Sequence, residues 1–176
     1  NALPEAARHE ENHFNDFKTQ SLLPYFYSHE GPALAAADLN GDGLTDFYLG
    51  GAANQAAQLF LANADGWRPV RVPAFEADAA CEDVAACFLD ADRDGDADLY
   101  VVSGGYEFGA GDPNVRDRLY WNDGRGNLTL QNPSSGPSHL GTAGTKTELP
   151  SAGSRIVSTD FDLDGDLDLF IGGGVV

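Results

Sequence analysis

Three stretches share one pattern. Residues 38–46 read Asp-Leu-Asn-Gly-Asp-Gly-Leu-Thr-Asp, residues 90–98 read Asp-Ala-Asp-Arg-Asp-Gly-Asp-Ala-Asp, and residues 160–168 read Asp-Phe-Asp-Leu-Asp-Gly-Asp-Leu-Asp. A chain with carboxylate or amide oxygens at positions 1, 3, 5 and 9 of a short loop must either hold repelling charges apart or close them on a hard cation. Calcium takes such oxygen sets readily. The side-chain donors are Asp38, Asn40, Asp42 and Asp46; Asp90, Asp92, Asp94 and Asp98; and Asp160, Asp162, Asp164 and Asp168. A backbone carbonyl at position 7, from Leu44, Asp96 or Asp166, can complete each shell. Glycine at position 6 permits the tight turn. Three Ca²⁺ sites are expected.

The loop differs from an EF-hand, which places a bidentate Glu at position 12 and runs into a helix. Here position 12 is Leu49, Val101 or Ile171, none of them a ligand. Each loop enters a short apolar run closed by glycines: Phe47-Tyr-Leu-Gly-Gly, Leu99-Tyr-Val-Val-Ser-Gly-Gly and Leu169-Phe-Ile-Gly-Gly. Such runs read as buried strands. Similar runs precede the loops at 33–37, 84–89 and 156–159, so the unit is a hairpin whose turn is a metal site.

A second hairpin follows the first at 58–72, around Asn63-Ala-Asp-Gly, and another follows the second at 118–130, around Asn122-Asp-Gly-Arg-Gly-Asn. Four strands in up-and-down order make one blade of a β-propeller. The loops start 52 and then 70 residues apart, a period suited to blades with variable connections. The expected fold is all-β, a partial β-propeller of about two and a half four-stranded blades. Its divisions are an N-terminal segment 1–32 packing on the sheet or on a neighbour, blade 1 at 33–80, blade 2 at 81–131, a Ser/Gly/Thr/Pro-rich loop at 132–153 and half of blade 3 at 154–176. The longer loop 106–117 is the natural place for a binding function.

The net charge is −18, and the three loops hold three, five and five of the 28 acidic residues. Nearly half the acidity therefore sits where cations would neutralise it. What remains argues against nucleic acid or an anionic membrane surface as partner, and no stretch is apolar for long enough to insert in a bilayer. The sequence has no methionine, so Asn1 is not a translated start and a processed product or a piece of a longer chain is expected. Cys81 and Cys87 are the only cysteines. Calcium loops of this kind suit extracellular calcium, where the two could pair; two independent thiols are the alternative.

Residues 4–13 could form a short helix, with Pro4 near its start and acids in its first turns. Within it, His9-Glu-Glu-Asn-His13 matches H-E-x-x-H, the zinc-protease pattern. A terminal segment with no third ligand and no partner motif favours a surface helix instead. Phe14, Phe17 and residues 22–27 follow as an apolar strap expected to pack along the sheet. Asn127-Leu-Thr129 is a glycosylation sequon in a tight hairpin, where turn chemistry is the simpler reading.

The three in-register loops, each followed by an aromatic-centred strand with Tyr48, Tyr100 or Phe170 two residues past the last aspartate, resemble the FG-GAP/VCBS repeat family of integrin α-like calcium-binding propeller blades. The segments His9-Glu-Glu-Asn, Leu22-Leu-Pro, Glu30-Gly-Pro, Cys81-Glu-Asp-Val and Asp117-Arg-Leu-Tyr resemble bacterial VCBS-repeat proteins. The resemblance implies the fifteen calcium ligands named above, an extracellular or cell-surface setting in a bacterium, and no catalytic residues. It implies a non-enzymatic module for adhesion or for binding a protein or glycan. A second expectation follows from the count of blades: too few to close a ring, with an open sheet edge on which further copies could add as strands of a fibre. Hydrolase chemistry ranks below both, because the clustered carboxylates are claimed by calcium.

Overall fold

The structure is a computed structural model that describes residues 4–18, 21, 22, 24, 28, 31–105, 107–109, 112–131, 153–165 and 167–173. Among these residues lie three antiparallel sheets of four, four and two strands. The first runs in chain order through β1 (Leu34–Ala37), β2 (Asp46–Leu49), β3 (Gln58–Asn63) and β4 (Gly66–Val70). The second repeats that order with β5 (Glu82–Leu89), β6 (Asp98–Gly104), β7 (Arg118–Asn122) and β8 (Leu128–Leu130). The third pairs β9 (Gly153–Thr159) with β10 (Asp168–Gly173). No helix among the described residues is long and apolar enough to cross a membrane.

Aromatic cross-strand pairs hold the first sheet. Phe47 on β2 faces Phe60 on β3, the rings stacked at 4.6 Å, and Trp67 meets the edge of Phe47 at 5.7 Å. The β3–β4 hairpin closes at Asn63 opposite Gly66, with the Asn63 carboxamide accepting the Asp65 N–H. In the β7–β8 turn, Asp123 accepts the N–H of Arg125 and both the backbone N–H and the side-chain amide of Asn127. The sequon asparagine is thus engaged in its own turn.

The core lies between the first two sheets, where Leu39, Tyr48, Leu59, Leu61, Leu99, Val101, Tyr120 and Leu128 are buried together. A short helix, α1 (Pro73–Ala77), connects the sheets and was not foreseen in the sequence. Five residues with one buried side chain carry no helical periodicity to read. That side chain, Phe75, stands edge-on between Tyr48 of the first sheet at 5.4 Å and Tyr120 of the second at 5.1 Å. The sheets are also laced through the backbone: Asp83 N–H donates to the Gly51 carbonyl and Ala33 N–H to the Asp83 carbonyl.

The N-terminal segment corrects one expectation. Residues 4–13 are not helical; after a turn in which Ala7 N–H donates to the Pro4 carbonyl, the chain runs without regular structure along the first sheet. Gln58 accepts from Arg8 N–H and donates to the Ala6 carbonyl, while Gln55 accepts from Glu10 N–H and donates to the Arg8 carbonyl. These bonds satisfy backbone groups that a helix would have paired internally, so tertiary context overrides local propensity. The apolar strap is also less buried than expected. Phe17 is partly exposed and Leu22 is open to solvent, and Leu23, Tyr25, Phe26 and Tyr27 lie outside the described residues. Tyr106 and the linker residues 132–152 lie outside them too.

The third sheet packs β9 against β5 and β6 of the second. Val157, Phe161, Leu163, Leu167, Phe170 and Ile171 around it are substantially exposed. Phe170, the counterpart of buried Tyr48, is half-exposed, with Phe161 edge-on to it at 5.6 Å.

Candidate metal centres

All three nine-residue loops connect two antiparallel strands, as their sequences anticipate: β1 to β2, β5 to β6 and β9 to β10. Their backbones are alike in detail. Position 6 is left-handed in each, with φ of 82° at Gly43 and 96° at Gly95 and Gly165. Position 4 is left-handed as well, at Gly41, Arg93 and Leu163. Only glycine adopts that region without cost, so the second positive φ at an arginine and a leucine shows the loop geometry overriding residue preference. Sequence reading missed this because position 4 varies.

Position 1 anchors the loop. Asp38 accepts the backbone N–H of Asn40, Gly41 and Asp42 on one oxygen and that of Gly43 on the other. The Gly43 bond, foremost among these, holds its carboxyl below the usual aspartate range. Asp90 accepts from Asp94 and Gly95 in the same way, and Asp160 from Gly165. Position 3 bonds to the N–H of position 5 from Asn40, Asp92 and Asp162. Position 5 turns toward position 7: Asp42 accepts Leu44 N–H, and Asp94 accepts Asp96 N–H.

Position 9 has a structural role beside its expected one as a ligand. Asp46 and Asp98 open β2 and β6 and are fully buried. One oxygen of each closes the loop on the N–H of position 2, Leu39 or Ala91. The other accepts an N–H from the third strand of the same sheet, Ala62 or Asn122. Asp168 makes the equivalent loop bond to Phe161 N–H. Burial pushes the Asp98 carboxyl up to about 6, against the pull of its two N–H donors, and burial likewise raises Asp46.

These contacts bring the expected donors together unevenly. One carboxylate oxygen from each of Asp90, Asp92 and Asp98 lies within 4.8 Å of the others, and the same holds for Asp160, Asp162 and Asp168. Asp160 Oδ1 is buried with no hydrogen-bond partner. Loop 1 has an amide, Asn40, in place of one carboxylate. Asp94 lies outside the oxygen group of its loop. The Asp96 side chain lies against Gly124, where a Cβ would come within 2.4 Å of its Oδ2. Leu44 is exposed, and Asp166 lies outside the described residues. The donor set fits a hard divalent cation: all-oxygen, strongly anionic, with an orphaned buried oxygen.

Residues 38–101 match the family model described as FG-GAP-like repeat. This stretch is similar to an FG-GAP-like repeat. The match spans the first loop, β2 to β4 of the first sheet, α1, β5 and the second loop into β6, so it runs from one candidate metal loop through the next. No curated protein matches the chain.

Residues beyond the loops lock the FG-GAP-like repeat to its neighbour. Asp83 is buried and accepts Tyr48 O–H at 2.7 Å and Gly51 N–H at 2.8 Å on one oxygen, while the other pairs with Arg118. Arg118 donates further to Ser103 Oγ and Tyr120 Oη, and Tyr120 O–H donates to Asp78. Cys81-Glu-Asp-Val and Asp117-Arg-Leu-Tyr, read in the sequence only as family-like segments, thus supply an ion pair between β5 and β7. The H-E-x-x-H pattern builds no metal site: its segment is not helical, the His9 ring lies between the Gly50 carbonyl and Glu11, and His13 is exposed.

Proposed function

We propose that this chain is a calcium-stabilised extracellular module of β-propeller blades that serves surface adhesion or binding of a protein or glycan. One observation carries the reading: three loops of one backbone geometry, two of which gather three carboxylates within 4.8 Å. Calcium held by positions 1, 3, 5, 7 and 9 would offset the repulsion among these carboxylates and fix each hairpin turn, so cation binding and folding are linked. The contact region is the 106–117 loop. Its Pro113, Asn114 and Arg116 border an open hollow of about 470 Å³ shared with Asp78, Tyr100 and Leu130. No catalytic role is assigned, because the loop carboxylates are turned onto the amides of their own turns.

The test is thermal unfolding with calcium and with chelator, beside binding to extracellular protein and glycan arrays before and after deletion of 108–115. The expected result is a lower melting temperature in chelator and loss of binding on deletion. An unchanged transition in chelator would overturn the calcium reading, and full binding without the loop would overturn its role.

The exposed apolar residues on and beside β9 and β10 favour a second reading, in which strands from further copies of the chain cover this sheet and build a fibre. Calcium-dependent growth in light scattering is expected under that reading, and a monomer at high concentration contradicts it.

A further inference from the structure

Outside the nine-residue loops, carboxylates meet where the N-terminal segment crosses the seam between the first two sheets. Glu82, the first residue of β5, is 2% exposed, and both of its oxygens are buried without a hydrogen-bond partner. Both oxygens of Glu107, just past β6, are buried and partnerless too, as is Glu11 Oε2. Glu82 and Glu107 converge over the backbone of Gly105: a Cβ there would lie 2.4 Å from Glu82 Oε2 and 2.7 Å from Glu107 Oε2. Glu11 is steered by His9, whose ring bridges the Gly50 carbonyl and Glu11 Oε1 at 2.9 Å each, leaving Oε2 as the unpartnered oxygen.

Burying uncompensated carboxylates is costly, and like charges face Glu82 from the N-terminal segment, from just past β6 and from its own strand. Its strongest charged neighbours are Glu107, Glu11 and Asp83, and Asp83 is already committed to Tyr48, Gly51 and Arg118. A proton shared between Glu82 and Glu107 would satisfy one or two of the oxygens. A hard cation between Glu82 and Glu107 would satisfy all four of theirs, and its charge would draw in Glu11.

We propose that Glu82 and Glu107 form an interior divalent-cation site, separate from the nine-residue loops, which Glu11 joins when the ion binds, so that the N-terminal segment is fastened across the two sheets. The donor class is all-oxygen and carboxylate-rich, and the oxygens come from three separate chain segments. A set of this kind suits calcium, which accepts 6–8 oxygens in irregular geometry, better than magnesium, which demands an octahedron and keeps its waters. Water completes the shell.

The site predicts one calcium beyond those of the loops. Metal content of the whole chain, equilibrated with calcium chloride and then freed of unbound ion, is to be compared with Glu82→Gln and with Glu107→Gln, the less buried position and so the safer variant for folding. Each variant should lose one equivalent. A chain carrying Asp42→Asn, Asp94→Asn and Asp164→Asn together should keep that equivalent while its loops weaken, so the two classes of site fail independently. Calcium should also protect the amides of residues 6–11 from hydrogen exchange in the wild type and not in Glu107→Gln. Unchanged metal content in both glutamine variants overturns the proposal and leaves a carboxylic pair sharing a proton. That outcome would be marked by higher stability of Glu82→Gln in chelator.

Discussion

The side-chain amide of Asn122 donates to the carbonyl of Leu39, 2.9 Å away and 83 residues earlier in the chain. Leu39 is position 2 of the first loop, whereas the backbone N–H of Asn122 is bound by Asp98, position 9 of the second. The same side chain donates to the Ala97 carbonyl and accepts the Gly126 N–H. One buried residue therefore ties two candidate metal loops and a hairpin turn together.

Asn122→Ala strands buried polar groups in both loops and should cost about 1–3 kcal/mol. It should also weaken calcium binding at the first loop although no donor of that loop is altered. Chemical denaturation and a calcium titration measure the two effects. Asn127→Ala, at an exposed turn, serves as the control and should cost roughly 0.5 kcal/mol or less. Equal effects at both positions would show that Asn122 does not couple the loops.

Arg118→Met leaves Asp83 buried with its countercharge gone, and about 3–5 kcal/mol of stability should be lost. Burial opposes the charge on Arg118, but Asp83 together with Tyr120, Cys81 and Tyr48 holds the guanidinium well above its ordinary range, so Arg118 stays charged. Combining Arg118→Met with Asp83→Asn should recover part of the loss, because the stranded charge is gone. A double-mutant cycle in urea reads the coupling, and strictly additive losses would count against the pair.

Cys81 and Cys87 are both free thiols in this fold. Burial pushes the Cys87 thiol up to about 11 and raises that of Cys81. The thiolate is the reactive form, so at pH 8 Cys87 in the folded chain should react with a disulfide reagent roughly a hundredfold more slowly than in the unfolded one, and Cys81 should be slowed too. Raising the pH toward 11 should speed the reaction at Cys87. Denaturation should release two thiols; recovery of none would mean a disulfide.

The hairpins, the loops and the order of strands were legible in the amino-acid sequence. A nine-residue acidic pattern and the period-2 aromatic runs beside it are local signals, each set by residues that touch one another along the chain. That oxygen-bearing side chains gather in these loops was legible for the same reason, since residues at fixed spacing meet when the turn closes. What tertiary structure decided involves partners far apart in sequence. Residues 4–13 lost their helix to Gln55 and Gln58, which bind that backbone from the first sheet. Phe75 became a plug because Tyr48 and Tyr120 stand on either side of it. Asp83 and Arg118 looked like two unrelated charges until the sheet placed β5 and β7 together. Position 9, expected as a ligand, showed itself to be a clamp as well only once Ala62 and Asn122 arrived from the third strands. Glu11, Glu82 and Glu107 carry no common spacing at all. They become neighbours only after three chain segments fold onto one seam, where desolvation and like charge call for a cation that local sequence could not announce.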